Sequence, residues 1–130
     1  MVHGYPDLLA GDPEWAARAR AMAAKTHEIT SFLADVMGYA PSGRRCDASA
    51  TYHDSCSGLR ELDIADQPRA LLAHVEGLEM RGLPGNDACC GFGGTFCVKY
   101  SDISNAIVTE KAEAIEETGA DILLAGDLAA

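Results

Sequence analysis

The stretch Ala48-Ser49-Ala50-Thr51-Tyr52-His53-Asp54-Ser55-Cys56 decides the fold, because it reads as a strand running straight into a capped helix. Residues 48–52 predict a short strand. Asp54 or Ser55 then serves as the N-cap of the next helix, which places Cys56 in its first turn, where the helix dipole favours a thiolate. That position suits a metal ligand. His53 has the chemistry to ligate metal or move a proton, but a histidine at a strand end more often hydrogen-bonds its loop, and that structural reading is preferred.

Working outward, Asp66-Gln67-Pro68 opens a helix with Leu71, Leu72 and Val75 on its apolar side, and Gly77 closes it. Residues 78–83 predict a second strand, weakened by Glu79 and Arg81 and broken by Pro84-Gly85-Asn86. Residues 101–118 predict a helix with Ile103, Ile107, Ala114 and Ile115 on one face. Its charges, Glu110, Lys111, Glu113, Glu116 and Glu117, read as solvation. Gly119 is a C-cap, and residues 121–125 predict an apolar strand of the buried kind that ends at Gly126-Asp127. On the other side, Asp12 caps and Pro13 opens a long amphipathic helix over residues 14–37, with Trp15, Met22, Ile29 and Val36 on a core-facing stripe. Before it, Tyr5-Pro6 and Gly11 leave room for at most one helical turn.

Strands alternating with helices predict an α/β fold, a small parallel sheet with helices on both faces. Ligands of such sheets bind beyond the carboxyl ends of the strands. Cys56, the Cys89-Cys90 pair and Asp127 each come just after a predicted strand, so separate segments converge on one rim. The pair lies in Ala88-Cys89-Cys90-Gly91-Phe92-Gly93-Gly94-Thr95-Phe96-Cys97, where two soft ligands sit on a glycine-rich backbone able to bend closely around a bound group. That is the pattern of a metal or redox site, although buried thiols beside an ordinary glycine loop have the same letters.

At 130 residues the chain is long enough to bury a core without staples, and it is expected to form one domain over 1–130. Five cysteines, an odd count, with no apparent leader and no long apolar run, point to a reducing, cytoplasmic setting in which thiols are ligands or redox groups. No membrane span is expected. Twenty acidic against ten basic side chains give a net charge of −10, which argues against nucleic acid or anionic lipid as the main partner.

Cys56, thirty-two intervening residues and then Cys89-Cys90-Gly91 resemble the cysteine-rich CCG domain of heterodisulfide reductases and of the iron–sulfur subunits of lactate and glycolate oxidation. Tyr52-His53-Asp54-Ser55-Cys56, Leu59-Arg60-Glu61-Leu62, Gln67-Pro68-Arg69, the stretch from Cys89 through Phe96, and Thr118-Gly119-Ala120-Asp121 are closest to the second CCG repeat of the lactate-utilisation group. The resemblance covers nearly the whole chain. His3-Gly4-Tyr5-Pro6 resembles the segment after the first repeat, so the chain is expected to be the C-terminal half of a longer protein.

The resemblance implies that Cys56, Cys89 and Cys90 ligate an iron–sulfur cluster of the 4Fe-4S type, with Gly91 in the cofactor-binding turn. The family frame closes at positions 127 and 130. Asp127 fits the lactate-utilisation group, whereas Ala130 stands where a cysteine is usual, so this chain is expected to fold yet lack an intact cluster. Cys97 is read as a substitute ligand or a buried thiol, the latter preferred, and Cys46 as incidental in a surface loop. The implied function is electron transfer in an oxidoreductase system that converts L-lactate or glycolate to the 2-oxo acid, alongside partner subunits and without catalysis by this chain alone. The alternatives are zinc on the same thiolates, with His53 available, or a thiol switch joining Cys89 to Cys90 or Cys97; a metal-free docking module is a further one.

Overall fold

The computed structural model describes residues 2–126. The chain forms two compact units, 1–38 and 39–130.

The first unit contains α1 (Gly4–Leu8) and α2 (Ala16–Ala23). Asp12 Oδ1 accepts from the Glu14 and Trp15 N–H groups, both at 2.9 Å, as expected of a cap. The helix expected over 14–37 is broken. Thr26 Oγ1 turns back to the Met22 carbonyl at 2.9 Å, and Glu28 starts the chain again by accepting from the N–H groups of Thr30 (2.7 Å) and Ser31 (3.1 Å). From there α3 (Ile29–Ser31) runs into one π-helical turn, Phe32–Val36. The two halves are each competently capped, and local capping wins over the continuous stripe. Trp15, Met22, Ile29 and Val36 are exposed; Ala16 and Ala19 are the buried residues of α2.

The second unit is α/β. Its sheet contains β1 (Arg45–His53), β2 (Glu76–Arg81) and β3 (Ile122–Ala125), all parallel, in the order β2-β1-β3. Between β1 and β2 lie α4 (Cys56–Leu62) and α5 (Asp66–Leu72). Between β2 and β3 lie α6 (Thr95–Lys99) and α7 (Ser101–Glu117). The second and third strands flank β1 on opposite sides, so crossovers of one right-handed sense carry their helices to opposite faces.

β1 is longer than expected because its central position gives both edges a partner. Cys46 therefore sits on a strand, half-buried, and not in a loop. Gly77 is also within a strand: with φ +81° beside a register shift in β1, it admits Asp47 where a Cβ would stand 2.3 Å from Oδ1. β3 is not buried, since Ile122 and Leu123 are exposed at the sheet edge. It is nevertheless pinned: Asp121 Oδ2 accepts from Ser49 Oγ at 2.6 Å and Ser49 N at 2.9 Å. Gly119, at φ +58°, ends α7 as expected, and its carbonyl and that of Thr118 accept from Arg81 Nη1. On α7 the buried residues are Ser104 and Lys111, whereas Ile103 is exposed, so the expected face is rotated and Lys111 does not solvate the helix.

Candidate metal centre

Cys56 is positioned by the chain immediately before it. β1 ends at His53, Ser55 takes an extended backbone, and its Oγ accepts from Gly58 N–H at 2.9 Å, so α4 begins at Cys56. The structure makes Ser55 the cap of the two candidates. Asp54 points the other way, into a buried network. Its carboxylate receives both Nη atoms of Arg69 at 2.8 Å and Asn86 Nδ2 at 2.6 Å. Arg69 also donates to the Ala65 carbonyl at 2.6 Å and lies 5.1 Å from the Tyr52 ring centre. The bidentate contact with Asp54 raises the guanidinium pKa still further. His53 is buried at the strand end.

Asn86 carries this network into the segment that bears the cysteine pair. Gly91 closes that segment against α7: at φ +82° it is buried, and a Cβ there would lie 2.7 Å from the Ser104 carbonyl and 3.0 Å from Val108 Cγ2. Only glycine permits this approach. Ser104 Oγ donates to the Gly91 carbonyl at 2.7 Å, and Lys111 Nζ donates to the Gly85 carbonyl at 2.5 Å. The turn back from Cys89 brings Gly91 N–H to Cys89 Sγ at 3.4 Å.

The carboxyl rim of the sheet thus receives Cys56 after β1 and Cys89-Cys90 after β2. Burial pushes the Cys56 thiol above its ordinary value of 9.0; the charge of Cys89, hydrogen bonding to it and the charge of Cys90 add to the rise, and Arg60 opposes it. Burial and the neighbouring thiols thus work against the thiolate expected from the helix start. Cys89 is exposed and Cys90 half-buried, with Cys90 Sγ 4.0 Å from the Phe92 carbonyl. Cys97 is half-buried on α6 and gives its S–H to Gly94 O at 3.1 Å. Cys46, seven residues before the end of β1, lies about 23 Å away along the strand, at the opposite rim. Asp127 and Ala130 lie outside the described residues.

Three thiols on one rim, one already receiving a backbone N–H, have the soft donor chemistry of a thiolate-bound metal or iron–sulfur centre. Among the described residues, no three His, Cys, Asp or Glu side chains are gathered tightly enough to hold an ion as they stand. Asn86, Ser104 and Lys111 escaped the sequence reading; the signal was the spacing of Ser104, Ile107, Lys111 and Ala114, a helical stripe in which polar residues occupy inward positions.

The CCG family profile, described as a cysteine-rich domain, matches residues 50–128. Among curated proteins, Lactate utilization protein A of Lysinibacillus sphaericus is 47% identical over 98% of this chain and 56% of its own length. The proteins of the same name from Geobacillus kaustophilus and Bacillus subtilis are 49% and 46% identical, each over 98% of this chain and 53% of theirs. The chain spans about half the length of these relatives. No solved structure matches it. Its sheet, its thiol-bearing rim and the profile match agree: the chain belongs to the CCG family of cysteine-rich domains.

Proposed function

We propose that in the intact protein this domain supplies Cys56, Cys89 and Cys90 to a thiolate-bound iron–sulfur centre of the 4Fe-4S type, left one thiolate short in this chain by Ala130, and transfers electrons in a system oxidising L-lactate or glycolate to the 2-oxo acid. The observation that carries the reading is the meeting of Cys56 with Cys89, with thirty-two residues between them in sequence, at the carboxyl rim. The name of the relatives, Lactate utilization protein A, supports the physiological setting. When bound, such a centre supplies one-electron redox chemistry whose potential depends on charge, hydrogen bonds to sulfur and exposure. Gly91 N–H contributes one such hydrogen bond, to Cys89. The Asp54–Arg69–Asn86 network holds the two cysteine segments in relation to each other. The chain acts as a component of a cytoplasmic complex, with the oxidation catalysed by a partner subunit. Among the described residues, no helix is long and apolar enough to cross a membrane.

The Cys56–Cys89 contact also favours a second reading, a zinc-binding or thiol-switch domain without a cluster. Anaerobic reconstitution with iron and sulfide of a chain carrying Ala130→Cys and extended past its present end, followed by visible absorption and acid-labile sulfide, separates the two. Under the first reading Cys56→Ser, Cys89→Ser and Cys90→Ser each lower iron and sulfide uptake, and Cys46→Ser does not. Stoichiometric zinc in a colourless protein, or uptake indifferent to all four changes, removes the cluster.

A further inference from the structure

Lys111 is buried, at 7% exposure, and among the described residues it forms no ion pair. The chain has twice as many acidic as basic side chains, so a carboxylate partner was not scarce. The Lys111 stem is buried along α7, and its ammonium reaches the exposed segment before the cysteine pair, where it donates to a backbone carbonyl. The carbonyl it holds is that of Gly85. Seven residues earlier on α7, and on the same face, buried Ser104 holds the carbonyl of Gly91. Gly85 and Gly91 bracket the segment carrying Cys89 and Cys90.

We propose that Lys111 and Ser104 are positioning residues for the thiol site, fixing both ends of the 85–91 segment so that Cys89 is presented to Cys56. Between the two anchors, Gly91 packs on Ile107 and Val108, so α7 acts as a rigid edge along which the segment is laid. Neither residue touches a ligand. Their role toward a bound metal rests on the thiolate-centre reading; their role in bringing the two thiols together does not.

The test uses the 130-residue chain with Lys111→Met, which keeps an unbranched apolar stem, with Ser104→Ala, and with Ile115→Ala as a variant that loosens the same helix one turn beyond the two anchors. One arm measures Co²⁺ binding through the sulfur-to-cobalt charge-transfer band. The other, metal-free, uses chains in which Cys46, Cys90 and Cys97 are serine, equilibrated with glutathione. There Cys56 and Cys89 lose two electrons and two protons to form one S–S bond, and glutathione disulfide is cleaved to two thiols. Lys111→Met and Ser104→Ala are expected to lower the effective concentration of the pair about tenfold and Co²⁺ affinity by about the tenfold typical of outer-shell changes, while Ile115→Ala leaves both unchanged. Should Lys111→Met fail to fold, Ser104→Ala decides. Wild-type values in both folded variants, or an equal loss in Ile115→Ala, overturn the proposal. If the wild-type chain binds no cobalt through its thiols while the glutathione arm responds as expected, the metal reading fails and the positioning role stands.

Discussion

Cys56 and the Cys89-Cys90 pair reach the same rim by different means. Cys56 is set by its neighbours: a strand ends, Ser55 caps, and the thiol is carried on the first residue of α4. The pair is set from a distance, by Asp54 on the β1 side through Asn86 and by Ser104 and Lys111 on the α7 side. The difference teaches where each thiol is vulnerable. Damage to the first seat is a loss of helix stability, roughly local in extent. Damage to the second displaces a segment whose own residues are unchanged.

Asp54 belongs to both seats, and the largest effect is expected there. Asp54→Ala leaves Arg69 without its bidentate partner and Asn86 without its acceptor. Breaking a buried pair costs about 3–5 kcal/mol; the 35% exposure of the Arg69 side chain moves the expectation to the lower end, about 3 kcal/mol. Urea denaturation measures it, and a loss below about 1 kcal/mol, the range of exposed pairs, would show that the network is solvated. Next is Gly91→Ala, which places a Cβ in an occupied space on a left-handed backbone and should cost about 2 kcal/mol. Its stronger signature is selective: alkylation of Cys89 should change more than that of Cys56, which feels the move only through its contact with Cys89. Equal changes at both thiols erase the distinction between the seats. Ser55→Ala removes one cap, about 1 kcal/mol, and the reverse selectivity is expected, with Cys56 alkylation altered more than that of Cys89.

The same division explains what the sequence made legible. Capping is a short-range signal, so the strand ending near His53, the cap before Cys56 and the left-handed Gly119 could all be read from neighbouring residues. The α/β alternation and the parallel sheet came from them. Tertiary anchors have no such signal. Lys111 looks like solvation among glutamates until its helix is rotated by one position, and Asp54 looks like an alternative cap until Arg69 is brought beside it. The break at Thr26–Glu28 was missed for the opposite reason: an apolar period spanned it, while the local hydrogen bonds of Thr26 and Glu28 ended one helix and began another.

The smallest effect is a control at the far side of β1. Asp121 stands at the amino end of β3, away from the thiol rim, and hydrogen bonds from the Ser49 hydroxyl and then from the Ser49 N–H hold its carboxyl below the ordinary value of 3.8. A carboxylate whose folded pKa is depressed adds stability that is fully present above the unfolded value and is lost as pH falls through the folded one. The gap between wild type and Asp121→Asn should therefore be constant at neutral pH and close as pH falls past the ordinary 3.8 and through the lower folded value. Because the group is solvent-exposed, the change should be small. Its use lies in the thiols staying still: at neutral pH, Asp121→Asn should loosen β3 without altering alkylation of Cys56 or Cys89. A stability gap that ignores pH over that range removes the Ser49 lock. A shift in thiol alkylation would show that β3 also supports the rim, and that the two seats are not independent of the strand at the sheet edge.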